Sequence, residues 1–174
     1  VREGFDLFVA ERLDRLLRYA TALTCDRHLA EDIVQEVLLR AQPRWSRIES
    51  VQSPNLYVRR MVTNEYLSWR RRRAAREISF EHHMLNDLGT PTSDVAGQHA
   101  ERAVMRALIA KLPRKQRAAI LLRYYEDRTD QEIAEVLGCG TGTVRSHLSR
   151  ALSTLRAAGI PGGYSESLAK EAWA

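Results

Sequence analysis

The chain predicts an all-α fold of two small helical domains, residues 1–75 and 100–160, joined by a flexible acidic linker over 76–99 and followed by a tail over 161–174. Three observations carry this. Apolar residues recur at helical spacing in one segment after another. The formal charge changes sign along the chain, +4 over 1–75, −3 over 76–99, +5 over 100–160 and −1 over 161–174. Finally, residues 129–156, TDQEIAEVLGCGTGTVRSHLSRALSTLR, read as a short helix, a glycine-containing turn and a second helix, the layout of a helix-turn-helix.

Phe5, Phe8, Val9, Leu13, Leu16, Leu17 and Ala20 define a first amphipathic helix that ends near Thr24–Asp26. Asp26 is placed to cap a second helix. There Leu29, Ile33, Val34, Val37, Leu38 and Ala41 form the inner side, while Glu31, Asp32, Gln35 and Glu36 make an acidic, amide-bearing outer side. Pro43 breaks that helix, and the polar stretch WSRIESVQSP over 45–54 predicts a loop. A long helix then runs from about Asn55 to Arg73 and interleaves Tyr57, Tyr66 and Trp69 with Arg59, Arg60, Asn64 and the run Arg70, Arg71, Arg72 and Arg73. Rings beside guanidinium groups suit single-stranded nucleic acid, bases against rings and phosphates against arginines. The same rings also suit a protein core, and for Tyr66 and Trp69 the letters leave both readings open.

From 76 to 99 the chain is polar, acidic and aperiodic, REISFEHHMLNDLGTPTSDVAGQHA including the next residue, which is linker composition. A helix resumes over 101–112 with Val104, Leu108 and Ile109 at helical spacing. Pro113 suits the first position of the next helix, where its missing N–H costs nothing, and Ala118, Leu121, Leu122 and Tyr125 face inward. Ile133, Ala134 and Leu137 give the next helix its stripe, and Gly138, Cys139 and Gly140 stop it where a tight turn needs φ > 0. Val144, Leu148, Ala151, Leu152 and Leu155 line the inner side of the last helix. Stepping about 100° per residue from that stripe puts Gly142, Thr143, Ser146, Ser149 and Arg150 outside, with Arg145 and His147 on the shoulders. Hydroxyls, guanidinium and imidazole on one face suit a DNA groove. The tail GIPGGYSESLAKEAWA follows a Gly/Pro break and reads as fraying, with Leu168 and Trp173 able to share one side of a short helix.

With 174 residues, 44% hydrophobic and 28% charged, the chain has the composition of a soluble globular protein. The first twenty residues are amphipathic and acid-containing, unlike a secretion signal, and no run reaches the roughly 18 apolar residues of a membrane span. The expectation is a cytoplasmic protein without membrane insertion. Cys25 and Cys139 stand alone, without the spacing of a zinc site, and His82 and His83 lack a nearby third ligand, so no metal and no cofactor are expected. No nucleophile elbow, phosphate-binding glycine loop or paired catalytic carboxylates occur, which argues against an enzyme. Basic blocks supply salt-dependent attraction to phosphates. Helix-turn-helix units also serve repressors, recombinases and response regulators, so the motif alone gives DNA binding. A stand-alone regulator binding operators as a dimer is the rival from another class.

Three segments together resemble the extracytoplasmic-function (ECF) sigma factors of bacterial RNA polymerase. LAEDIVQEVLLRAQPRW over 29–45 resembles region 2.2, NLYVRRMVTNEYLSWRRRR over 55–73 resembles regions 2.3 and 2.4, and LPRKQRAAILLRYYEDRTDQEIAEVLGCGTGTVRSHLSRALSTLR over 112–156 resembles region 4. The resemblance implies a promoter-specificity subunit that binds core RNA polymerase, directs it to promoter DNA and assists melting. It implies that Asp32, Gln35, Glu36 and Leu39 dock on the β′ coiled coil, with the β flap as the partner of region 4. It further implies that the segment from Ser46 to Pro54 captures a flipped base of the minus-10 element, while Arg59, Arg60, Asn64, Trp69 and Arg70 line the non-template strand. Thr143, Arg145, Ser146, His147, Ser149 and Arg150 correspond to the face that meets the minus-35 element. In the family the linker threads toward the RNA path, and a partner anti-sigma protein commonly holds the factor, although no residue of this chain is specific for one. The expected location is cytoplasmic, at the nucleoid within the holoenzyme. The chain departs from the family where a serine usually caps the recognition helix, since it has Gly140 followed by Thr141, and where arginine is common, since it has His147.

Overall fold

The computed structural model describes residues 2–76 and 96–159, with the backbone alone at 2, 70–76 and 96–102. The expected linker, apart from its two ends, and the expected tail from 161 onward lie outside the described residues. Every regular element among the described residues is helical, and the chain divides into two compact units, Val1–Met84 and Leu85–Ala174. No helix among them is long and apolar enough to cross a membrane.

In the first unit α1 (Arg2–Thr24) packs against α2 (Arg27–Ala41) and α4 (Pro54–Arg76). Asp26 is the cap of α2: its side chain accepts a hydrogen bond from the Leu29 backbone N–H at 3.1 Å. Leu16, Tyr19 and Leu23 of α1, Ile33 and Val37 of α2, and Val58, Val62 and Tyr66 of α4 are buried together as the core. Tyr66 is therefore a core ring, 2% exposed. After α2 a 3₁₀ turn, Gln42–Arg44, carries Pro43 and leads straight into a short helix, α3 (Trp45–Glu49). The expected loop thus begins as a helix, because Trp45 and Ile48, three residues apart, are both buried and give the segment an inner face. Trp45 meets Phe5 edge to face, with centroids 5.4 Å apart, and Phe8 at 4.7 Å.

In the second unit α5 (Ala96–Lys111) begins before the expected limit of the linker, and it turns Val104 outward, 58% exposed, while burying Met105 and Ile109. Those two join Leu112, Ile120, Ala151 and Leu155 in the core, with Leu108, Tyr124, Leu148 and Leu152 packed at its edge. Pro113 sits one position earlier than expected, as the N-cap of α6 (Arg114–Ile120). Buried Arg117 closes the end of α5 by donating to the Ala110 and Leu112 carbonyls, which lack helical partners. A π-helical turn, Leu121–Tyr125, continues α6 and buries Leu121 and Leu122. Then α7 (Asp130–Leu137) and α8 (Thr141–Ala157) form the helix-turn-helix.

Candidate nucleic-acid interface

The turn between α7 and α8 is built at both ends. Thr129 and Glu132 form a reciprocal capping box at the start of α7: Thr129 Oγ1 accepts from the Glu132 N–H at 3.2 Å, and the Glu132 carboxylate accepts from the Thr129 N–H at 2.9 Å. That backbone hydrogen bond from Thr129, with further help from Arg128, holds the Glu132 carboxyl below its usual pKa despite partial burial. Gly138 ends α7 at φ +62°, the left-handed conformation the turn requires. Gly140 is the N-cap of α8 and makes no side-chain cap bond, so the orphan N–H groups of α8 lack the hydroxyl that Ser would bring.

From this turn α8 buries Val144, Ala151 and Leu155 and exposes Thr143, Arg145, Ser146, Ser149 and Arg150, while His147 is half-buried at the margin. Ser146 Oγ donates to the Gly142 carbonyl at 3.1 Å, which leaves its lone pairs outward as acceptors. Burial, then the cations Lys115 and Arg150, lower the His147 pKa below that of a free imidazole. Its Nδ1 is buried and has no hydrogen-bond partner among the described residues. Arg145 leans back across the turn, its Nε donating to Asp130 Oδ2 at 2.9 Å. The other oxygen of Asp130 accepts from Arg123, on the π-helical turn. Neither Asp130 nor Arg123 belongs to the set expected from the sequence. An acidic residue in the first turn of a helix reads as complementing the helix dipole, and that reading conceals the contact fifteen residues away.

In the first unit α4 presents Tyr57, Arg60 and Asn64 outward on one face, at spacings of three and four. Arg59 departs from expectation. Its side chain is 1% exposed, and its guanidinium lies over the Tyr19 ring, 5.0 Å from the centroid. One residue from Arg60 is about 100° around the helix, enough to turn Arg59 into the core, so it does not face a strand. Thr63 beside it donates to the Arg59 carbonyl at 2.9 Å, and the Thr63 hydroxyl therefore accepts from Tyr19 at 2.9 Å. Trp69 is half-buried, Ser46 is exposed on α3, and for Arg70 the backbone alone is described, within α4. Arg40 and Glu65 tie α2 to α4 by an ion pair.

On α2, Asp32, Gln35, Glu36 and Leu39 are all exposed on one stripe, Leu39 at 60%. Beside them lies an apolar groove of about 360 Å³, floored by Phe5, Val9, Leu13 and Leu17 of α1 with Val34 and Leu38 of α2. Each unit thus offers a distinct surface: a polar, basic helix face in the second, and in the first an arginine-aromatic face together with an acidic, partly apolar stripe.

Two family profiles match the chain, that of Sigma-70 region 2 over residues 8–76 and that of Sigma-70, region 4 over residues 102–155. The RNA polymerase sigma-E factor of Streptomyces coelicolor is 38% identical over 152 residues, 87% of this chain and 84% of that protein. The ECF RNA polymerase sigma factor SigL of Mycobacterium tuberculosis is 34% identical over 149 residues, 81% of this chain and 80% of that protein. Among solved structures, the sigma factor RpoE of Bartonella quintana, in complex with the anti-sigma factor NepR, has a similar fold. Its TM-score is 0.70 at 23% identity, over 88% of this chain and 95% of that one.

Proposed function

The chain belongs to the ECF sigma factors of bacterial RNA polymerase, and from that premise we propose that its two units divide the work of promoter-directed transcription initiation. The carrying observation is that each unit matches a different sigma region and exposes the chemistry that region needs. The protein is an initiation factor, not an enzyme.

The second unit places α8 in the major groove of the minus-35 element. Arg145 and Arg150 reach base edges, where a bidentate arginine on guanine contributes about 1–3 kcal/mol of discrimination. Thr143 and Ser149 hydrogen-bond to bases or phosphates, Ser146 accepts from a base amino group, and His147 borders the contact. The first unit holds the melted minus-10 strand along α4: Arg60 and Arg70 neutralise phosphates, Asn64 hydrogen-bonds, and Trp69 stacks. Exposed Tyr57 adds a ring to this face, and Ser46 with the turn after α3 receives a flipped base. Opening is stabilised because an unstacked base is recaptured on protein. The α2 stripe Asp32, Gln35, Glu36 and Leu39 docks on the β′ coiled coil, acid against base with an apolar centre, and the second unit meets the β flap. The domains are assigned as residues 1–75 and 100–160, and the site of action is the cytoplasm, at the nucleoid within the holoenzyme. An anti-sigma protein is a further partner, supported by the solved relative, which is held by one.

The test is run-off transcription with bacterial core polymerase on a library of promoter fragments at fixed moderate salt. Discrete start sites that disappear with Arg145→Ala plus Arg150→Ala are expected. DNA binding without transcripts or co-elution with core polymerase would instead make the chain a stand-alone regulator.

A further inference from the structure

We propose that Asp130, which lies outside the recognition helix, fixes the orientation of Arg145 and thereby sets base selectivity at one position of the upstream promoter element. The inference rests on the reading that α8 enters the major groove. Arg145 is a long side chain, 72% exposed, and an unsupported arginine there would sample many rotamers. Here its Nε donates to Asp130 Oδ2, the one hydrogen bond this side chain makes among the described residues. Because guanidinium is planar, occupying the Nε edge leaves the terminal Nη1 and Nη2 pair directed outward. Those two donors match guanine O6 and N7.

Asp130 is a firm pivot because it is itself held. Its second oxygen takes the Arg123 guanidinium, and both residues are less exposed than Arg145, 27% and 29% on their side chains. Arg123 also solves an electrostatic problem. A bare carboxylate near the groove would repel phosphates, whereas two arginines on one aspartate leave the trio with a net charge of +1. Three elements thus meet at one carboxylate: the π-helical turn supplies Arg123, α7 supplies Asp130, and α8 supplies Arg145. Arg145 is thereby a pre-oriented reader, and Asp130 is a positioning residue that does not touch DNA.

A helix-dipole role for Asp130 would change stability alone, so base preference is the discriminating readout. The full-length chain with core polymerase is given a promoter library randomised across the upstream element, and transcripts are sequenced. The wild-type chain should prefer guanine at one position, and Arg145→Ala should erase that preference. Asp130→Ala should weaken it roughly tenfold, within what one bidentate contact supplies, and leave the other positions and core co-elution unchanged. The double variant should equal Arg145→Ala alone, the sign of a coupled pair. If Asp130→Ala unfolds, Asp130→Leu gives the same reading, since it keeps the side-chain size and removes both acceptor oxygens. A preference erased by Arg145→Ala but kept by both Asp130 variants overturns this inference and spares the functional reading, as does an even loss at all positions that tracks thermal stability. Preferences untouched by Arg145→Ala overturn it too, and a wild-type chain with no start sites overturns the functional reading itself.

Discussion

Arg59 and Arg60 are neighbours in the chain with opposite fates, one under the surface against Tyr19 and one outside. Arg59→Ala removes a buried side chain and its ring contact, and should cost roughly 2–4 kcal/mol in a denaturant melt of the full chain. Arg60→Ala should leave stability within about 0.5 kcal/mol, yet flatten the salt dependence of promoter binding by about 0.7 in log–log slope, one phosphate contact on a single strand. The reverse pattern would place Arg59 on the strand. His147 supplies the corresponding pH argument. Burial first, and then Lys115 and Arg150, keep its folded-state pKa below the unfolded value of about 6.5. Between the two values the unfolded chain binds the extra proton, so stability falls on acidification through this window and is insensitive to His147 above it. Melting temperatures between about pH 7.5 and 5.5 should decline less in His147→Gln than in the wild-type chain. Equal slopes would mean that the imidazole is not held neutral.

At the scale of elements, the caps decide how firmly the helix-turn-helix is set. Thr129→Ala removes the hydroxyl half of the capping box, leaving the Glu132 carboxylate on the backbone N–H of residue 129, and should destabilise the chain by about 1 kcal/mol, measured by urea unfolding. Gly140→Ser should move the other way by a few tenths of a kcal/mol. Gly140 sits in extended backbone at φ −78°, and a Cβ there would meet nothing within 4 Å, so the new hydroxyl is free to cap. Loss of stability in that variant would show that the glycine is needed for something other than turn geometry. These elements were legible to different degrees, for physical reasons. The outer face of α8 follows from its inner stripe, because Val144, Ala151 and Leu155 fix the rotation and leave Arg145, Ser149 and Arg150 outside. The five residues of α3 were hidden, since one turn with Trp45 and Ile48 is too short to show a period among polar neighbours. In α5 the neighbouring apolar residues Val104 and Met105 offer two registers, and packing selected Met105 over Val104. Arg59 was illegible because its charge reads as exposed, although Val58, Val62 and Tyr66 around it carry the period of a buried face. The Asp130–Arg145 contact was illegible because it exists only once the turn has brought α7 and α8 together.

For the molecule as a whole, the two proposed surfaces carry opposite charge. The α2 stripe is acidic with an exposed leucine, whereas the outer face of α8 is basic and hydroxylated. A single basic surface would bind DNA anywhere; on the proposed reading, separate acidic and basic surfaces allow one partner to recruit the chain to the other. The expected consequence is that the surfaces fail separately. Glu36→Lys should abolish co-elution with core polymerase by reversing charge against a basic partner, and Leu39→Ala should weaken it roughly tenfold, the value of burying one leucine at a contact centre. Neither change touches the helix-turn-helix, so the melting of α7 and α8 should be unaltered. Arg145→Ala and Arg150→Ala should do the converse, leaving core binding intact while start-site selection is lost. Titrating labelled core polymerase with each variant, and then scoring transcripts from one strong promoter, separates the two defects. If Glu36→Lys transcribed normally, the acidic stripe would be an ordinary solvated face and the polymerase contact would have to lie elsewhere on the first unit.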